Sequence, residues 1–148
     1  KDFLIPPFAL LLFYIVFASA FGLPEIGAEL FMNGFVGWIG VAVCAMGILL
    51  FIYALISFGQ SFRVGLDEDH PGELVTTGAF SISRNPIYTA FGLVLAGVFL
   101  IIPNWIILIY VFVGIWLLNR QILLEEQSLK KLYGEKYREY CSHVRRFL

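Results

Sequence analysis

The chain has 148 residues, of which 59% are hydrophobic and only 14% charged, with a formal net charge of −1 and a mean hydropathy of +0.84. So little polar surface cannot cover a compact soluble globule of this size, and an integral membrane protein is expected. The balanced charge also argues against a nucleic-acid partner, because membrane topology accounts for the basic residues present.

Four apolar runs qualify for testing as membrane spans, residues 3–21, 34–58, 86–102 and 104–124, and Arg120 is the only charged residue in any of them. A hydrocarbon core of about 30 Å takes about 20 helical residues, with about 17 as the lower end, so the third run is short. Helices satisfy their own backbone hydrogen bonds in lipid and open strands do not. The expected fold is therefore all-α, with about four transmembrane helices in one integral membrane domain over 1–148. The first run has a second reading as a secretory signal, since Lys1 precedes it and Ala18, Ser19 and Ala20 fit a small-x-small cleavage pattern. The membrane-like character of the other runs favours a span. Because the sequence starts on Lys rather than Met, further helix is expected upstream. Cys44 falls inside the second run and Cys141 near the C-terminus, so both are expected as free thiols.

Residues 22–33 and the turn at Pro103 and Asn104 carry no basic residue, and all ten Lys and Arg fall on the other side of the four runs. The positive-inside rule makes that side cytoplasmic, together with both termini and the 59–85 connection. The Pro103–Asn104 turn leaves room only for a tight helical hairpin. Spans three and four are then antiparallel neighbours, and "SRNPIY" and "NRQILLEEQ" meet at one membrane face. Within 59–85, Asp67, Glu68, Asp69 and His70 read as a solvated loop; their consecutive side chains converge poorly, and no metal site is expected. The segment from Leu74 to Phe80 is apolar enough to tuck beneath the helices and offer backbone hydrogen bonds to a flat ligand.

Pro86 suits the first turn of a helix, which puts Arg84 and Asn85 beside its positive end, where a carboxylate or phosphate is held. Arg84 taken alone reads more readily as a boundary anchor than as a ligand group. Tyr88 lies one turn further in, and Thr89, Gly92 and Ala96 make a small-residue face for a groove or for close packing. Adjacent carboxylates at Glu125 and Glu126, on a helix leaving the membrane, call for partners. Glu126 has Lys130 at i+4. Glu125 has Leu129 there, so it is the candidate for a ligand cation. Beyond Glu126 an amphipathic basic helix is expected at the membrane surface, with Leu129, Leu132, Tyr133, Tyr137 and Tyr140 on one face and a break at Gly134. Arg145 and Arg146 either meet anionic lipid heads or complete the basic side.

These residues together resemble the isoprenylcysteine carboxyl methyltransferase and phospholipid methyltransferase family of integral membrane enzymes. The family pattern is Arg-His-Pro-x-Tyr, eight residues and Gly, then Glu-Glu after the next span; here it reads Arg84, Asn85, Pro86, Tyr88 and Gly97, then Glu125 and Glu126. The approach "GELVTTGAFSISRNP" and the ending "EEQSLKKLYGEKYREYCSHVRRF" extend the likeness to roughly residues 57–148. Asn85 stands where the family has His; it donates and accepts hydrogen bonds but carries no proton near neutral pH. The resemblance implies S-adenosylmethionine as methyl donor, bound from the cytosol without a Rossmann fold, in line with the absence of G-x-G-x-x-G. It implies the donor's carboxylate at Arg84 and the helix start at Asn85 and Pro86, and its ammonium at Glu125 or Glu126. Adenine would rest against Leu74, Val75 and the turn at Gly78, with Tyr88 lining the pocket. Glu125 and Arg120 are the catalytic candidates, Arg120 either orienting an anionic acceptor or anchoring the boundary. The acceptor is a lipophilic or prenylated molecule arriving among the membrane lipids: an isoprenylcysteine carboxylate, a phospholipid amine or a thiol. An NADPH-dependent, sterol-reductase-like enzyme and a noncatalytic membrane scaffold or ligand binder are the two alternatives, and the Glu-Glu pair favours the methyltransferase.

Overall fold

The computed structural model describes residues 5–22, 28–31, 33–59 and 73–148, with side chains in the first helix from Phe13 onward. The acidic run Asp67 to His70 lies outside the described residues. Among those described, the α-helices are α1 (Ile5–Phe21), α2 (Gly34–Phe58), α3 (Pro86–Ile101), α4 (Trp105–Tyr133) and α5 (Glu135–His143), with a 3₁₀ turn at Gly78–Ser81 and no strand.

Local chemistry sets where each helix starts and stops. The Asn33 side chain accepts from the N–H groups of Phe35 and Val36 at 3.0 and 3.4 Å, and Asn104 accepts from Ile106 N–H at 2.8 Å. Both are N-caps of the ordinary kind. Pro86 occupies the first turn of α3, where no backbone donor is needed. Gly134, at φ 54°, ends α4 and turns the chain into α5 in a conformation that side chains disfavour. Two helices are long and apolar enough to cross a bilayer, α2 with 25 residues and α4 with 29, whereas α3 has 16. At 1.5 Å per residue α4 is about 43 Å long, so it continues well past the apolar run that ends at 124. Phe35, Trp38, Phe112 and Trp116 all point outward, as expected of a membrane protein whose solvent is hydrocarbon.

The closest helix pair is α2 with α3. A Cβ added at Gly40 would lie 2.7 Å from the Gly97 carbonyl oxygen, and one at Gly97 would lie 2.8 Å from both the Cys44 N and the Gly40 oxygen. Gly47 meets Ala90 and Val94 in the same way. Without a hydrophobic drive between helices in lipid, this approach of backbones is what association relies on. The face in contact is thus Ala90, Val94 and Gly97, one step round the helix from Thr89, Gly92 and Ala96; a Cβ at Gly92 would meet nothing within 4 Å. Helix α4 packs on α3 through Gly114 beneath Leu95. Both cysteines are free thiols, and Cys44 Sγ donates to the Val94 carbonyl at 3.6 Å.

The two basic-free connections lie at the same end of the bundle. Leu30 N–H donates to the Pro103 carbonyl at 2.7 Å and Trp105 N–H to the Ala28 carbonyl at 3.4 Å. At the opposite end the 3₁₀ turn seats on the last turn of α2: Ala79 N–H donates to Ser57 Oγ at 2.9 Å, and the Phe58 and Phe80 rings meet edge to face at 5.0 Å. Gly97→Ala should lower the thermal midpoint in detergent, with an overpacking cost of about 1–3 kcal/mol. Gly92→Ala, one and a half turns away, should leave the midpoint no lower than that of the parent protein.

Candidate functional site

The chain from the 3₁₀ turn into α3 is buried by the last residues of the sequence. Ser83 is fully buried and Asn85 nearly so. Arg84 N–H donates to the Arg145 carbonyl at 2.9 Å, while Ser83 Oγ and Asn85 Nδ2 both donate to the Arg146 carbonyl at 3.2 Å. Asn85 therefore does not cap its own helix with its side chain; it binds a strap formed by residues 144–146. Two donors on one carbonyl satisfy groups that would otherwise cost free energy in this dry corner.

The strap's side chain completes the joint. Arg146 grips Glu126 in a bidentate pair, Nε to Oε1 at 3.0 Å and Nη2 to Oε2 at 2.7 Å, and Arg84 Nη2 lies 3.6 Å from Oε1. Glu126 is only 3% exposed, and burial opposes its charge, but the two guanidinium groups and Lys130 together hold its pKa below the ordinary value. The hydrogen-bonded carboxylate holds the Arg146 pKa above its ordinary value. Lys130, the expected i+4 partner, adds its charge from farther off, while the guanidinium groups make the close contacts. Arg84 Nη1 donates to Cys141 Sγ, and Arg84 Nε is buried with no hydrogen-bond partner.

Helix α5 walls this corner with Tyr137 and Tyr140, both buried. Tyr140 O–H donates to the Phe80 carbonyl at 2.6 Å, tying α5 to the 3₁₀ turn. Burial pushes the Tyr140 hydroxyl up to about 12, the Arg84 charge opposing and Cys141 adding to it. Tyr137 is raised too, by burial first and then by Cys141 and Glu126.

Glu125 has a different environment from its neighbour. It is half-buried, accepts a short hydrogen bond from Tyr88 O–H, and accepts from Gln121 Nε2 at 3.2 Å on the same oxygen, Oε1. Both of these partners are neutral donors. Beside α5, a cleft of about 740 Å³ opens between the 73–76 segment and the helix; Glu73, Leu74 and Thr76 form one wall, Tyr133, Lys136, Glu139, Tyr140 and His143 the other.

Of the residues expected from sequence, the structure joins Arg84 directly to Glu126, joins Tyr88 to Glu125, and packs Asn85 and Pro86 into the same corner. Leu74 faces the cleft, Val75 is half-buried, and Gly78 sits against Ser57. Arg120 is not drawn in: it is exposed, with its guanidinium 5.8 Å from the Trp116 ring centroid. Sequence reasoning missed Ser83, Gln121 and the role of Arg146 as counter-charge. Gln121 stands at i−4 to Glu125, a detectable spacing, whereas nothing local links Arg146 to a carboxylate 20 residues away.

A family model described as phospholipid methyltransferase matches residues 35–136. The chain is 32% identical over 110 residues to protein-S-isoprenylcysteine O-methyltransferase B of Arabidopsis thaliana, covering 71% of this chain and 55% of that protein. Probable protein-S-isoprenylcysteine O-methyltransferases of Oryza sativa, subspecies indica and japonica, are each 25% identical over 115 residues, covering 74% of this chain and 59% of theirs. The chain thus spans little more than half the length of these relatives.

Tyr140→Phe removes the donor to a buried carbonyl and should cost about 1–3 kcal/mol of stability. Faster proteolytic cleavage within 135–148, with the α2–α3 pair intact, is the expected readout.

Proposed function

The chain belongs to the phospholipid methyltransferase family, and on that premise we propose that it is an S-adenosylmethionine-dependent methyltransferase acting on a lipophilic acceptor at the inner membrane face. The carrying observation is that the two distant parts of the family pattern are in direct contact, Arg84 with Glu126 and Tyr88 with Glu125. The match over 35–136 supports methyl transfer over NADPH-dependent reduction and over a noncatalytic scaffold.

The chain is a multi-pass protein of four spans in this reading, α1 and α3 crossing with α2 and α4, both ends and the 59–85 connection in the cytosol. Hydrogen bonding of the two basic-free connections at one end supports it. The residues present fit the donor. Arg84 Nε is a buried donor with no partner, suited to a carboxylate, and Glu125 is a carboxylate held only by neutral donors, suited to an ammonium. The cleft of about 740 Å³ beside α5 adjoins this corner through Leu74 and Tyr140, while Arg84 and Glu125 stand outside its lining. Leu74, Val75 and Gly78 line the adenine side, Asn85 and Pro86 set the helix start, and Glu126 fixes Arg84.

When bound, the donor supplies a sulfonium-activated methyl group for in-line displacement. The protein's part is alignment and exclusion of water from the acceptor. Glu125 with Tyr88 closes the polar end, whereas Arg120, exposed over the Trp116 ring, takes the boundary-anchor role. The acceptor is of the isoprenylcysteine carboxylate type, the group for which the matched Arabidopsis and Oryza proteins are named, and a carboxylate is methylated without a general base.

Calorimetric titration of the full chain with S-adenosylmethionine and S-adenosylhomocysteine tests the pocket. Arg84→Ala and Glu125→Ala should each weaken binding by about tenfold or more, as expected for loss of a charge-assisted contact. Unchanged affinity in both variants rejects the site. Incubation with labelled donor and either a prenylcysteine analogue or a phospholipid extract identifies the acceptor. Label found only on phospholipid amine would reject the carboxylate assignment.

A further inference from the structure

The donor site as read above leaves Arg146 without a stated purpose, although its bidentate grip on Glu126 is the most complete ion pair among the described residues. The three nitrogens of Arg84 explain why it matters. Nη1 is committed to Cys141, Nη2 stands 3.6 Å from Glu126, and Nε is buried and unpartnered. That distribution holds only because Arg146 already satisfies both Glu126 oxygens, at 3.0 and 2.7 Å. A carboxylate this buried does not remain half-paired. Without Arg146 it would draw Arg84 into a closed, two-point pair, because an uncompensated buried charge is among the costliest defects a protein can hold.

We propose that Arg146 is a positioning residue for the donor site: by neutralising Glu126 it keeps Arg84 from closing onto that carboxylate and leaves Nε as the donor for an anionic group. The 144–146 strap is the device that delivers it. Ser83 and Asn85 bind the Arg146 carbonyl, and Arg84 N–H binds that of Arg145, so the strap's backbone is fixed by the same three residues that enter α3. Asn85 thereby acts through the strap, holding a carbonyl with its amide and needing no titratable proton. This inference rests on the proposed donor binding, and deepens it by naming what sets the charge state of the site.

The test uses the full chain in detergent with S-adenosylhomocysteine as the calorimetric probe. Arg146→Ala should weaken binding by about tenfold although Arg146 makes no contact with the ligand, and Arg146→Lys, a single point charge, should lose several-fold. The double variant Glu126→Gln, Arg146→Ala removes the carboxylate that captures Arg84, and it should bind several-fold more tightly than Arg146→Ala alone. Arg138→Ala, a pair with Glu135 on the exposed face, controls for general loss of positive charge. Unchanged affinity in Arg146→Ala, or a double variant as weak as the single one, overturns the proposal. If Arg146→Ala does not fold, the comparison of Arg146→Lys with Glu126→Gln, Arg146→Lys carries the same two outcomes. A second readout needs no donor: Cys141 is held by Arg84 Nη1, so its alkylation by N-ethylmaleimide, mapped by mass spectrometry, should accelerate in Arg146→Ala and revert in the double variant. Parent protein that binds no S-adenosylhomocysteine sinks the proposed function, and the alkylation rates then decide the positioning claim alone; equal rates in all variants reject it.

Discussion

One buried carboxylate organises the polar end of this protein. Glu126 accepts two hydrogen bonds from Arg146 and the longer-range attraction of Arg84, and in doing so joins α4, the entry to α3 and the last residues of the chain. Such a cluster is not an efficient source of stability, since burying the charges costs much of what their attraction returns. Its effect is specificity of arrangement: once the carboxylate is buried, each guanidinium has few alternative positions, and three segments far apart in sequence take one relative placement.

That arrangement stands on a frame of another kind. The α2–α3 pair is held by backbone approach at Gly40, Gly47 and Gly97, with little directional bonding between side chains. In a lipid solvent this is an appropriate division, because contact area between backbones is available where hydrophobic exclusion is not. The frame sets where Pro86 begins α3, and hence where Arg84 and Asn85 stand. The ion cluster then selects which nitrogens face which partners. The proposed methyl transfer depends on both, the first for rigidity and the second for charge placement.

Much of this was legible in the sequence, for local reasons. Composition called for helices, Pro86 marked a helix start, the Pro103–Asn104 turn a tight hairpin, and Gly134 the break before α5, because each acts within one turn of its own position. The two parts of the site pattern, Arg84 to Tyr88 and Glu125 to Glu126, were readable as a spacing. Their detailed pairing was not. Helical periodicity puts Lys130 in reach of Glu126, and only tertiary folding beyond α5 brings Arg146 into hydrogen-bonding contact with it. The face of α3 used for close packing was also out of reach, since Gly92 and Gly97 are chemically identical and only the partner helix distinguishes them. Arg120 illustrates the same limit: a cation near two carboxylates in sequence lies on another side of the helix, over an indole ring.

Among the described residues, the far end of the bundle is joined by an edge-to-face contact of Phe31 with Phe99 and by peptide hydrogen bonds, Leu30 to Pro103 and Trp105 to Ala28. Bonds of that sort are blind to side-chain identity, so these positions tolerate wide variation in residue type, proline at 30 or 105 excepted because it has no N–H to give. The opposite end is written in guanidinium, amide and carboxylate groups, where one replacement strands its partners. Mutational drift in this protein is therefore unequal between its two ends: loose where the backbone does the joining, and constrained to compensating pairs where side chains do.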